Sequence, residues 1–185
     1  MANQAWESAL LKKLAEKGDL GKESVDYILQ YNVKLNFKKY SESTGARWFL
    51  FKRITLNTHY YSTDTDLDDP KLLSLLVHEV HHLKQGTLTA FSVYGELDAW
   101  QVEHSFYKEI HPRKFSPAFE ELLALPLNYD RENLRHAAKL MQDVAGKGYR
   151  IDLYPLYPIW DEIKYQVTRR EKDSGREKDS GREKK

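Results

Sequence analysis

The apolar positions of the chain change period twice, and those changes predict its elements. Trp6, Ala9, Leu10 and Leu14, with Lys13, share helical spacing and stop at Gly18, and a second helix is expected from Lys22 to Gln30. Val33, Leu35 and Phe37 then alternate with Lys34, Asn36 and Lys38, and after a turn at Ser41 to Gly45 the run Arg47 to Asn57 is rich in Trp, Phe, Ile and Leu. Two or three strands of a small antiparallel sheet are expected there. The helical period returns after the polar loop Thr58 to Asp68. Asp69-Pro70 supplies an N-cap and a first-turn proline, Leu72, Leu75, Leu76, Val80 and Leu83 fall on one side, and Gly86 ends the helix.

Further helices are expected from about Ser92 to Ile110, closed by His111-Pro112, from Pro117 to Leu125 and from Asp130 to Ala145. The aromatic, proline-punctuated segment Gly148 to Trp160 should pack back across the domain. From Arg170 the hexamer Arg-Glu-Lys-Asp-Ser-Gly occurs twice without an apolar residue to bury, so residues 170–185 read as a charged tail and 1–169 as one domain. The pattern gives an α+β fold, a small twisted antiparallel or mixed sheet packed on the 70–85 helix, with a mostly helical C-terminal half.

Composition narrows the chemistry. The 185 residues carry a net charge of only +1, so nothing global favours nucleic acid or an anionic membrane as a partner. There is no cysteine, which excludes thiolate chemistry and leaves His and carboxylates as the strong transition-metal ligands. Met1 to Leu20 is amphipathic and charged, and no stretch approaches the roughly 20 apolar residues that span a bilayer, so a soluble cytoplasmic protein is expected.

The informative segment is His78-Glu79-Val80-His81-His82. Residues four apart on a helix share a face one turn apart, so His78 and His82 can converge on one ion while Glu79 sits beside it. Zinc so held acidifies a water and polarises a carbonyl, and the carboxylate can take the water's proton, which makes Glu79 the expected catalytic base. With 7 His and 15 Glu in the chain, the spacing arises by chance in about 2% of shuffles; its position on an independently capped helix argues for a metal. His81 points about 100° away and is left out of the site. The plainer alternative is two partly buried helix histidines and a surface glutamate.

Catalytic zinc usually takes three protein ligands, and the following helix offers Glu96 and, seven residues on, Glu103. Glu96 is preferred because the small Gly95 and Ala99 beside it would let the two helices approach closely. The metal set is therefore His78, His82 and Glu96, with Glu103 as the alternative third ligand.

From Arg47 to Glu103 the chain resembles the gluzincin branch of the HExxH zinc metallopeptidases, the zincins, through His78-Glu79-x-x-His82 and the helical Glu96-x-x-Ala99. The resemblance implies an active-site helix packed on a small twisted sheet, a Zn2+ cofactor, and an edge strand, expected at Arg53 to Asn57, that pairs with an extended peptide or protein substrate. Relatives often carry, four positions after the ligand glutamate, an aspartate that orients a zinc-bound histidine; that position is Trp100 here, with Asp98 as a possible substitute. An oxyanion donor is expected among Tyr129, His136, Tyr149, Tyr157 and His104. Two other functions compete with peptide hydrolysis. One is a catalytically silent zincin-fold binding or regulatory module, its site blocked by Tyr149 to Trp160. The other is scaffolding through the tail, disfavoured by its even charge mix and lack of aromatic residues.

Overall fold

The computed structural model describes residues 2–49, 52–146 and 148–168, so the repetitive 170–185 segment lies outside the described residues. Helices α1 (Ala2–Ala15) and α2 (Asp19–Gln30) precede strands β1 (Lys34–Lys38), β2 (Ala46–Phe49) and β3 (Arg53–Asn57). Helix α3 (Pro70–Gln85) follows, then the short α4 (Thr87–Ala90), α5 (Val93–Ile110), α6 (Pro117–Ala124) and α7 (Arg131–Ala145), a single 3-10 turn at Ile151–Leu153, and a helical stretch over 159–168. The fold is α+β, with a mostly helical C-terminal half.

The sheet is mixed, not antiparallel, in the order β1-β3-β2. β3 pairs parallel with β1, Leu35 opposite Ile54, and antiparallel with β2, Trp48 opposite Ile54. Arg53 to Asn57, expected as the peptide-pairing edge, is therefore the central strand. Its last four residues are all buried, as befits a strand flanked by a partner strand on each side. The free edge near the helix is β2.

Asn57 shows why β2 lands there. The fully buried side chain accepts from the amides of Tyr40 and His59, both at 3.0 Å, and donates to the carbonyls of Ser41 at 2.9 Å and Thr44 at 2.6 Å. One amide thus satisfies four backbone groups of the flanking loops and holds the β1–β2 connection across the end of β3.

Two apolar cores lie on either side of a seam. The first joins α1, α2, the inner sheet face and α3, with Leu10, Leu14, Ile54, Leu56, Leu72, Leu73 and Leu76 fully buried; each such side chain contributes about 1.5–3 kcal/mol. The second joins α5, α6, α7 and the segment after α7 through Leu97, Trp100, Leu122, Leu134, Met141 and Tyr157. Helix α5 belongs to both, since Phe106 lies in the first core and Val93, Leu97 and Trp100 in the second. The segment after α7 returns to α5, where the amides of Val93 and Tyr94 donate to the carbonyls of Pro155 and Leu156 at 2.9 and 3.1 Å.

Candidate metal centre

Helix α3 begins where its sequence dictates. Asp69 accepts from the Lys71 amide at 2.8 Å, Pro70 occupies the first turn, and Gly86 closes the helix with a left-handed φ of 76°. The apolar side holds α3 in the first core, which leaves His78 and His82 at its boundary with α5. Both are buried, along with Glu79 and Glu96.

The two imidazoles meet through their Nε2 atoms, 3.0 Å apart with the rings nearly perpendicular at 83°. Glu96, in the first turn of α5, places Oε1 at 3.6 Å from His82 Nε2 and Oε2 at 3.9 Å from His78 Nε2. Ligands about 2.0–2.1 Å from a tetrahedral zinc lie roughly 3.3–3.5 Å from one another. One atom from each of His78, His82 and Glu96 falls within 4.8 Å of the others. The donor set of two imidazoles and one carboxylate therefore fits zinc in spacing and in kind.

The far side of each of these three side chains is tied back. His82 Nδ1 lies 3.0 Å from Gln85 Oε1, and Gln85 donates to the Gly95 carbonyl and to Asp98 Oδ2 at 2.9 and 2.8 Å. His78 Nδ1 lies 2.9 Å from Glu103 Oε2, ion-pair range, though without straight hydrogen-bond geometry. Glu96 accepts a hydrogen bond from the Tyr149 hydroxyl, which itself accepts from the Trp100 indole at 3.1 Å. Partners at Nδ1 favour tautomers that leave Nε2 free to bind metal.

Several expectations sharpen here. Glu103, the alternative third ligand, is not a member of the three-residue group; it lies against His78 instead. Asp98 reaches a ligand only at one remove, through Gln85, and its other contact is His81 Nε2 at 2.6 Å. Gly95 is small for a different neighbour than expected: a Cβ there would lie 2.1 Å from the Thr89 carbonyl, so it admits the α4 backbone, not α3.

Charge explains why the group favours a cation. Glu79, Glu96 and Glu103 are three carboxylates in one buried neighbourhood, which is costly without compensation. Burial raises the Glu79 carboxyl above its ordinary value against the opposing pull of His78 and His82. Its Oε2 is buried without a hydrogen-bond partner. Burial works against the imidazolium at His78, but Glu103 in contact and Glu79 and Glu96 nearby outweigh it and hold His78 up at about 9. Burial also opposes the charged form of Glu96; His82, His78 and the Tyr149 hydroxyl prevail and keep it low.

The expected oxyanion donors are otherwise engaged. Tyr149 donates to Glu96, Tyr129 to Asp161 at 3.2 Å, and His136 meets Glu121 at 2.7 Å on the surface. His104 holds the Trp100 carbonyl at 2.7 Å and meets Phe119 edge-on, while Tyr157 packs in the second core. Tyr154, which the sequence did not single out, is half-buried and packs on Phe91 at 6.0 Å; Phe91 packs on Trp48 at 4.9 Å and Trp48 on His82 at 5.8 Å. Its hydroxyl has no hydrogen-bond partner among the described residues, and it feels the charges of Glu96 and Glu79, so its proton lies in the field of the site. Gln85, one turn after His82, was within reach of helical spacing; Tyr149 and Tyr154 carried no local signal.

No family model matches the chain, and neither a curated protein nor a solved structure matches it, so its function is argued from this geometry alone.

Proposed function

We propose that this protein is a zinc-dependent metallopeptidase of zincin type. The observation that carries the reading is the convergence of His78 Nε2, His82 Nε2 and the Glu96 carboxylate beside a buried glutamate, Glu79, with one oxygen unpartnered. His78, His82 and Glu96 would hold Zn2+. Zinc supplies Lewis acidity, polarising a substrate carbonyl and acidifying water.

The remaining work falls to the chain's own residues. Glu79 accepts a proton from the attacking water at its free Oε2 and delivers it to the leaving nitrogen, a role suited to a carboxyl raised by burial. Gln85 and Glu103 fix the His82 and His78 rings, and Tyr149 fixes Glu96. Tyr154 donates its hydroxyl proton to the oxyanion. Extended substrate pairs with β2, the free edge, whose Trp48 ring lies against His82. No helix among the described residues is long and apolar enough to cross a membrane; a cytoplasmic setting belongs to the same proposal.

The test is metal content together with cleavage of a quenched peptide library. Wild type should bind one zinc per chain, as a three-ligand catalytic site requires, and cleave peptides; Glu79→Gln should keep the zinc and lose cleavage. A wild type that takes up no zinc on reconstitution would sink the proposal.

One observation favours a second reading, a self-blocked zinc module. The four central side chains are each at most 8% exposed, Tyr149 is bonded to Glu96, and Gly148 lies so close that a Cβ would come 2.5 Å from Ser43 Cβ, just before β2. Zinc bound without any cleavage, with cleavage appearing only when the 148–154 segment is displaced, would select it.

A further inference from the structure

The net charge of +1 conceals a segregation. Between Lys34 and Arg53 the chain carries six cations, Lys34, Lys38, Lys39, Arg47, Lys52 and Arg53, against the single Glu42, a net +5. Sheet alternation sorts them. Leu35, Ile54, Leu56, Ala46 and Trp48 face the helices, while Lys34, Lys38, Arg47 and Arg53 lie on the outer face, where all four are exposed.

None of the six has a carboxylate within salt-bridge distance among the described residues. Glu42 lies near His59 at 3.9 Å instead, and Glu7 reaches Lys34 only through its longer-range field. Arg47 and Lys38 sit over the Tyr40 ring at 4.9 and 5.9 Å, which holds their positions without neutralising them.

The free edge puts this charge beside the metal group. The Asn57 amide donates to the Gly45 carbonyl at 2.9 Å, which makes Gly45–Asn57 a hydrogen-bonded pair. By antiparallel alternation Arg47 and Phe49 also bond inward to β3, whereas the backbone N–H and C=O groups of Ala46 and Trp48 point away from it. A strand added there bonds to Ala46 and Trp48. Its residue opposite Arg47 shares the outer face with that guanidinium, about 4.5–5.5 Å away at Cβ. Its next residue faces inward, on the side where the Trp48 ring meets His82.

We propose that the β2 edge selects extended peptides with acidic side chains at alternate positions, and that Arg47 is the specificity-determining contact. This rests on the peptidase reading above and names its substrate class. Arg53, opposite Phe49 on the neighbouring β3, extends the same preference to residues further along the strand.

The experiment uses the full-length zinc-loaded protein and three fluorogenic peptides identical except for Glu, Gln or Lys at alternate positions. Wild type should cleave the Glu peptide best, with a KM that rises with salt, and Arg47→Glu should raise that KM by about tenfold with kcat little changed while improving the Lys peptide. Equal cleavage of all three, indifferent to Arg47→Glu, would overturn the proposal and leave the peptidase reading standing. Binding of the labelled Glu peptide, read by fluorescence anisotropy on zinc-loaded Glu79→Gln with and without Arg47→Glu, separates the other failures. Charge-dependent binding without cleavage by wild type sustains the acidic-peptide surface and removes the peptidase. Neither binding nor cleavage removes both. Displacement of the Glu peptide by a single-stranded oligonucleotide at lower concentration would overturn the proposal by assigning the face to nucleic acid.

Discussion

The two cores differ in how they contribute to the centre between them. The first core is mainly aliphatic, built from leucines of α1 and α3 and the inner sheet face, and it holds the α3 backbone from which His78 and His82 project one turn apart. The second mixes aliphatic side chains with Trp100 and Tyr157, and it contributes Glu96 together with the Trp100–Tyr149 hydrogen-bond chain that fixes it. A regular helix suffices to place His78 and His82 one turn apart. Glu96 comes from a different element and is held by a side-chain bond from Tyr149, more than 50 residues away. The seam is thus rigid on one side by packing and on the other by hydrogen bonding, and a metal would join the two.

The largest test of that contrast is removal of the joint. Saturating zinc at about a thousand times Kd contributes roughly 4 kcal/mol, which should raise Tm by about 8–16 °C in a chain of this size. His82→Ala should abolish both zinc uptake and the shift in a thermal melt. Amide exchange should slow in α5 and α7 as well as in α3 when zinc binds; protection confined to α3 would show that the cores are not coupled.

Next in size, Glu79→Gln should keep zinc affinity and Tm while lowering turnover by about 10²–10⁴-fold, the usual range for a positioned general base. Loss of zinc in this variant would instead make Glu79 a ligand.

A smaller effect is expected from the second core's own contribution. Tyr149→Phe keeps the ring in place but deletes the bond to Glu96, and zinc affinity measured by chelator competition should fall by about 10–100-fold. Glu103→Gln on the α3 side, where packing already holds His78, should cost less. The reverse order would break the comparison.

The smallest effect belongs to the first core's exterior. Lys13 and Lys17 each reach Asp68 at 2.8 Å and hold its carboxyl below the ordinary 3.8. A depressed folded-state pKa stabilises the protein above about 3.8 and ceases to do so as pH falls through the lower folded value. Asp68→Asn should therefore lower Tm slightly near pH 7 and by nothing resolvable in strong acid, with no change in zinc binding.

The same contrast explains what was legible in the chain. Helix α3 was readable to the residue, because Asp69, Pro70 and Gly86 act within one turn of where they sit, and the convergence of His78 and His82 followed from helical spacing; Glu96 joins them although the small-residue clue that favoured it did not hold, Gly95 admitting α4 and not α3. Strand order was not readable: alternation tells which face a residue occupies and says nothing of neighbours, so the edge expected at Arg53 to Asn57 rested on the resemblance alone, and the strand is central. The contacts behind the ligands were hidden for a related reason. Glu103 on His78 and Tyr149 on Glu96 depend on how α5 and the segment after α7 dock, which no local pattern encodes. Net charge misled in the same way, since a sum over the chain cannot show that the cations are gathered on one sheet face.

The four hydrogen bonds of the Asn57 side chain also have a consequence for misfolding. A one-residue slip of β2 against β3 would exchange the strand's two faces, bringing the Arg47 guanidinium against His82 and putting the Trp48 indole in water. Such a slip drags the Tyr40–Thr44 connection with it and strands several buried polar groups together, so intermediate registers have no foothold. Asn57 therefore acts as a proofreader of strand alignment, and a protein lacking it would fail first by mispairing, with the Arg47 guanidinium in the place of the Trp48 ring.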